Sequence, residues 1–220
     1  MRDQSPLPNA DERGADPSAA ALLRFFHLAG RLKDTPRAGW ALRGISAPES
    51  VAEHSFRTAL LALVLAPRAA PPLDVPRCVA MAVVHDLAES LVGDITPYDN
   101  VPADEKRRRE EAAMLRLAAL AGDDSLAALW REYDAAESPE ARFVKELDKL
   151  ETAFQAAEYE QRGDAPPGAL DEFRANADAR LTSPVPRALL DALRRESAEV
   201  RECGSALDRR APAPGGGDGG

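Results

Sequence analysis

Apolar residues recur through most of the chain at i, i+3, i+4 spacing, the period of an amphipathic helix. Leu22, Phe25, Phe26, Ala29 and Leu32 form one such stripe. It follows the Asp16-Pro17-Ser18 cap and predicts a helix to about Lys33. Ser50-Val51-Ala52-Glu53 reads as a capping box opening a helix that Pro67 closes after Ala66. Asp74 and Pro76 start the next helix, whose unbroken apolar run from Val79 to Val84 marks it as central and which ends near Val92-Gly93. A charged amphipathic helix follows from Pro102 to about Ala121. A shorter one, Ser125 to Ala136, turns Leu126, Leu129, Trp130 and Tyr133 inward. Ser138-Pro139 caps a helix through about Gln161 with a stripe of Phe143, Leu147, Leu150 and Phe154. Two more are predicted at about 169–181 and 186–202. Residues 35–48 and 163–168 read as loops from their Pro and Gly content.

Composition agrees with helices packed on helices. Aromatics make up only 5% of the 220 residues, while Ala and Leu dominate. The fold class expected is all-α, with one domain over residues 18–202 between disordered tails, 1–17 and 203–220. A net charge of −9 argues against a general nucleic-acid surface. Cys78 and Cys203 are too few for a disulfide framework and read as reduced, with Cys78 in the core. The N-terminal stretch lacks the apolar segment of a signal peptide, and no apolar run is long enough for a bilayer. The expectation is a soluble, cytoplasmic protein with no membrane partner.

The chemistry concentrates where the central apolar run meets His85-Asp86-Leu87-Ala88-Glu89. A buried helix does not carry such groups inward without partners, because an unpaired core charge costs several kcal/mol. On a continuous helix His85 and Glu89 are i, i+4 and Asp86 and Glu89 are i, i+3, so all three face one cavity. His54 lies in the first turn of its own helix, and Asp148 sits at the edge of a buried face beside Leu147. An aspartate there needs Lys145, Lys149 or a cation. His54, His85, Asp86 and Asp148 form a mixed nitrogen and oxygen set that suits Mn, Fe, Co, Ni or Zn better than calcium. Glu89 is the natural group to orient or deprotonate a water. Asp94, five positions further, lies within reach of the same site. Taken alone, Trp40 reads as a structural plug in its loop, His27 as a rim histidine, and the charge run 104–111 as a solvated face.

These motifs carry a resemblance. Glu53-His54, His85-Asp86 and Leu147-Asp148-Lys149 are similar to the H…HD…D signature of the HD-domain metal-dependent phosphohydrolases. Pro48 through Ser55, His85 through Glu89 with Val92-Gly93-Asp94-Ile95, and Phe143-Val144-Lys145 with Leu147-Asp148 resemble the 5′-deoxynucleotidase branch, over roughly Leu22 to Leu193. The resemblance implies an HD-domain helical bundle with the metal site in the core between helices. It implies hydrolysis of deoxyribonucleoside 5′-monophosphates to deoxynucleoside and phosphate. A divalent cation such as Co, Mn or Mg would be held by His54, His85, Asp86 and Asp148. Glu89 and Asp94 would serve catalysis, or hold a second cation with the Ile95 carbonyl. It makes Trp40 a sugar or base contact and the protein a homodimer. Bacterial members have Arg before that Trp, whereas Gly39 stands here, as in the eukaryotic-type branch; Arg37 or Arg43 would then take the phosphate. The alternative activity is a related HD phosphohydrolase acting on a nucleoside triphosphate, an alarmone or a cyclic phosphodiester.

Overall fold

A computed structural model of the chain describes residues 17–208, with side chains through residue 199. Of the two expected tails, 1–16 and 209–220 lie outside the described residues. So does the side chain of Cys203. Ten α-helices make up the described part: α1 (Ala19–Gly30), α2 (Ala38–Ala41), α3 (Val51–Leu65), α4 (Val75–Val84), α5 (Glu89–Val92), α6 (Ala103–Ala121), α7 (Ser125–Ala135), α8 (Pro139–Arg162), α9 (Asp171–Arg180) and α10 (Pro184–Asp208). The last runs six residues past its expected end. Among the described residues the extended pairing is a single bridge, Pro36 with Ser50, so the protein is all-α. No described helix is long and apolar enough to cross a membrane.

The caps form as their residue types require. The Ser18, Asp74 and Ser138 side chains accept the amides of Ala21, Arg77 and Ala141. Ser50 and Glu53 close a reciprocal capping box at the start of α3. The 24-residue α8 is the axis, about 36 Å long at 1.5 Å per residue. It packs against α3, α4, α7, α9 and α10. Its dry face (Phe143, Val144, Leu147, Leu150) joins Ala62 and Leu65 of α3, Cys78 and Met81 of α4, and Leu190 and Leu193 of α10 in the main core. A second core gathers Leu28, Leu32, Val84, Leu87, Met114, Leu117 and Trp130. Around Trp40 a third holds Ile45, Ala156, Tyr159 and Leu170.

Three expectations need correction. Phe26, read as inward, is 65% exposed, and Leu28 takes the buried position. Residues 35–48 include one helical turn, α2. The helix after Asp74 is not continuous to Val92: it opens at 85–88 and resumes as α5. The cause is local. The His85 Nδ1–H donates to the Ala82 carbonyl at 2.7 Å, the oxygen that an unbroken ladder would give to the amide of Asp86. The following amides tighten to i→i−3 bonds, Leu87 to Val84, Glu89 to Asp86 and Ser90 to Leu87. Gly93 then ends α5 at φ 80°, ψ 168°, a conformation open to glycine and costly for other residues.

Candidate metal centre and active site

Three elements converge. α3 brings His54 in its first turn, the opened segment after α4 brings His85 and Asp86, and α8 brings Asp148. His54 Nε2 lies 3.3 Å from His85 Nε2, 3.3 Å from Asp148 Oδ1 and 3.7 Å from Asp86 Oδ2. His85 Nε2 lies 3.1 Å from Asp86 Oδ2. Donors held about 2.0–2.2 Å from one tetrahedral or octahedral ion stand about 3.0–3.5 Å apart, so this spacing suits a shared cation.

The outer nitrogens decide the fit. The His85 Nδ1–H is committed to the Ala82 carbonyl, and the His54 Nδ1–H is committed to the Glu151 carboxylate. With both Nδ1 atoms acting as donors, neutral rings aim two Nε2 lone pairs at one another across 3.3 Å, beside two carboxylates. Such a cluster of acceptors needs positive charge between them, which a proton on His54 supplies in the metal-free protein. A divalent cation fits it.

Glu151 was not picked out from the sequence, although it stands one helical turn beyond Asp148 on α8 and so shares its face. It is fully buried and also accepts Arg57 Nε at 2.9 Å. Arg57 lies one turn after His54 and spans to Gln155 at 2.6 Å and Glu158 at 2.7 and 2.8 Å, tying α3 to α8. Burial and Arg37 disfavour a charged His54, but the Glu151 and Asp148 carboxylates outweigh them and bring its pKa up to about 9. Burial opposes the Asp148 anion, yet Lys149 at 2.9 Å and His54 hold its pKa well below the usual range.

Glu89 is buried, and its Oε2 has no hydrogen-bond partner. Burial, then Asp86 and Asp94, push its pKa well above the ordinary glutamate value. It lines a cavity of about 690 Å³ together with Arg37, His85, Asp86, Asp94, Asp148 and Phe173. The Asp94 Oδ2 accepts the Ala38 amide at 2.8 Å, holding the start of α2. The Ile95 carbonyl accepts Lys106 Nζ at 2.7 Å. Arg37 Nη1 lies 3.2 Å from Asp86 Oδ2, and these charges keep the guanidinium protonated.

The mouth is made of loops. The amide of Arg37 bonds to the Glu49 carbonyl and that of Val51 to the Thr35 carbonyl, both at 2.9 Å, pinching 36–50 closed around Trp40. Trp40 lines the cavity wall yet is only 2% exposed. Its Nε1 donates to Glu49 at 2.9 Å, and Phe173 covers it at 4.2 Å between ring centroids. A Cβ at Gly39 would lie 3.7 Å from the Phe173 ring, an ordinary contact, so no clash excludes a side chain there. Arg43 lies outside the cavity lining, paired to Glu172 and bonded to Tyr98 at 2.8 Å. His27 is exposed, and the charge run pairs along α6, Arg109 with Glu105 at 2.6 Å and Lys106 with Glu110 at 3.6 Å.

The profile of the HD-domain family matches residues 29–187. The chain belongs to the HD-domain family. A 5′-deoxynucleotidase HDDC2 of Bos taurus is 44% identical over 187 residues, 84% of this chain and 87% of that protein. The Homo sapiens protein of the same name is 44% identical over 169 residues, 76% of this chain and 81% of its own length. Among solved structures, a Pyrococcus horikoshii protein is 33% identical with a TM-score of 0.67, over 80% of this chain and 98% of that one. A predicted metal-dependent phosphohydrolase from Magnetospirillum magnetotacticum is 29% identical with a TM-score of 0.59, over 82% and 95%. The matched residues 29–187 include the three elements that converge on the acceptor cluster.

Proposed function

We propose that this chain is a metal-dependent 5′-deoxynucleotidase that hydrolyses deoxyribonucleoside 5′-monophosphates to deoxynucleoside and phosphate. The observation that carries the reading is the pair of facing imidazole Nε2 atoms, 3.3 Å apart, whose other nitrogens are both committed. The names of the relatives at 44% identity supply the substrate class.

His54, His85, Asp86 and Asp148 would hold one divalent cation, and their mixed donor set accepts Mn, Co, Mg, Fe, Ni or Zn. When bound, such an ion supplies an activated water and offsets the charge of a phosphate. Glu89 then takes up the proton: its Oε2 is unpartnered, its side chain lines the cavity, and burial with the nearby Asp86 and Asp94 raises its pKa well above the ordinary glutamate value, which favours proton uptake. The proton gained there is the one the departing 5′-oxygen needs, so one water is consumed and Glu89 ends as it began. Asp94 acts beside it by fixing α2, and through α2 the Arg37-to-Trp40 wall. The guanidinium of Arg37 stays charged beside Asp86 and offers a phosphate contact. Lys106 Nζ, 2.7 Å from the Ile95 carbonyl, places a positive charge where a second cation would sit and so favours one ion over two.

Purified protein loaded with Mn or Co and given dAMP, dGMP, dCMP, dTMP, dUMP and AMP is expected to release phosphate from the deoxy substrates. Absence of release from all of them, with bound metal verified, would remove this reading.

We also propose that the protein acts in the cytoplasm as a homodimer. Phe56, Leu60, Leu63 and Val64 form an outward row on α3 at i, i+4, i+7, i+8 spacing, with Phe56 71% exposed. A two-fold interface buries the same exposed apolar row on both copies. Light scattering on the eluted protein is expected to give twice the 23.6 kDa chain mass. A monomer at micromolar concentration would rule the dimer out.

A further inference from the structure

Most cations on the cavity wall already have partners. Arg37 is 3.2 Å from Asp86, Arg107 is 2.7 Å from Asp134, and Lys149 is 2.9 Å from Asp148. Lys106 is held by Ile95 and Glu110, while Arg142 donates to the carbonyls of Ala136 and Glu137 at 3.1 and 3.0 Å. Lys145 differs. It lines the same cavity and is half-buried, yet among the described residues it makes no hydrogen bond or ion pair. Its Nζ instead sits 4.2 Å from the centroid of the Tyr133 ring.

The position of that ring gives Lys145 its direction. The Tyr133 hydroxyl donates to Asp148 Oδ2 at 3.2 Å, and the ring stands edge-on to His85 at 5.3 Å. Lys145 is also one helical turn before Asp148 on α8, so the two share a face. The ammonium therefore lies beside the proposed metal ligands, on a platform locked to two of them. The carboxylates that act on it most strongly, Asp134 and Asp148, are already spent on Arg107 and Lys149. A partly desolvated ammonium recovers some of its hydration loss from an aromatic face. The rest is recovered only when an anion arrives.

We propose that Lys145 binds the phosphoryl group of the substrate, its ammonium donating to a non-bridging phosphate oxygen. This rests on the reading of the site as a phosphate monoesterase. The same contact retains inorganic phosphate after hydrolysis, making phosphate a competitive product inhibitor. Arg37 is shared with Asp86, Arg43 lies outside the cavity and Arg180 is exposed, so none of them places an uncommitted, partly desolvated cation beside the metal ligands.

The test is calorimetric titration of the metal-loaded full chain with inorganic phosphate, beside steady-state kinetics on a deoxynucleoside monophosphate. Lys145→Met keeps the apolar stem over Tyr133 and removes the charge; Lys145→Gln is the second neutral variant should the first fold poorly. Either is expected to weaken phosphate binding about 10- to 100-fold, the worth of one hydrogen bond to a charged group, and to raise KM by a similar factor. Metal content should stay at the parent level. Lys145→Arg is expected to restore binding to within about threefold, because the charged donor returns. Arg180→Met, which removes an exposed cation from the same wall, should change binding by less than about threefold, since screened charges at that exposure are weak. Phosphate affinity within twofold of the parent in Lys145→Met, or an equal loss in Arg180→Met, overturns the proposal, as does a parent that binds no phosphate. The two readings separate cleanly. A parent inactive on every monophosphate, with phosphate binding lost in Lys145→Met, removes the deoxynucleotidase reading and keeps the Lys145 contact. Normal turnover with unchanged phosphate affinity does the reverse.

Discussion

The deep end of the cavity and its mouth are built by different means. At the deep end the side chains stand on long helices or immediately after one. His54 is fastened by Glu151, His85 by a backbone carbonyl, and Asp148 by Tyr133 and Lys149. Each outer contact leaves one atom free to face the centre. The mouth is assembled from connections instead: Arg37, Gly39 and Trp40 in and beside the one-turn α2, and Phe173 at the start of α9. There the rings pack against one another, and Arg43, Tyr98 and Glu172 tie two connections to the first turn of α9. Rigid helices suit a centre that must hold several acceptors at 3.1–3.7 Å. Connecting segments suit a wall whose shape decides which nucleoside fits.

The largest effect should come from breaking the deep end. Asp148→Asn keeps the size of the side chain and an oxygen for Tyr133, but removes one of the two anions beside the imidazoles. Turnover is expected to fall on the order of 10³-fold or more, the scale of losing a preorganised charge in a reacting site. Metal analysis should show substoichiometric metal in the same sample. Unchanged far-ultraviolet circular dichroism would establish that the fold survives. Turnover within tenfold of the parent at full metal occupancy would mean that Asp148 is not among the ligands.

The same contrast explains what could be read in advance. Helix positions and caps followed from period and residue type, and Ser50-Glu53 formed the capping box its spacing predicts. The four candidate ligands were legible because apolar helices do not turn His and Asp inward without cause. Two things escaped. The opening of the helix at 85–88 depends on a side chain outcompeting an amide for one carbonyl, which no periodicity records. Glu151 escaped because the reading stopped at the ligands; its place one turn past Asp148, like that of Arg57 one turn past His54, was visible in the spacing. At the mouth, the cover of Phe173 over Trp40 joins residues 133 positions apart, a pairing that only the packed loops create.

Glu49 stands where the two ends meet, and it offers the finest test of their separation. Its carboxylate accepts Trp40 Nε1 from the mouth, while Glu151 acts on it from the deep end. Burial first, and then the charge of Glu151, push its pKa to about 7, against the partial relief given by His54, Trp40 and Arg37. The sign follows from linkage. Between its unfolded value of 4.5 and about 7 the folded protein binds more protons at Glu49 than the unfolded chain does, so rising pH removes stability across that window. Glu49→Gln keeps an oxygen for Trp40 and has no proton to lose. In the chelated, metal-free protein the melting temperature of the parent should therefore fall relative to Glu49→Gln as pH rises from about 4.5 to 8. A gap of up to about 10 °C is expected, since a rise from 4.5 to about 7 is worth up to about 3 kcal/mol and each kcal/mol moves Tm by about 2–4 °C in a chain of this size. Parallel curves across that range would show that Glu49 titrates like an exposed carboxylate, and that the mouth is electrically insulated from the metal centre rather than joined to it.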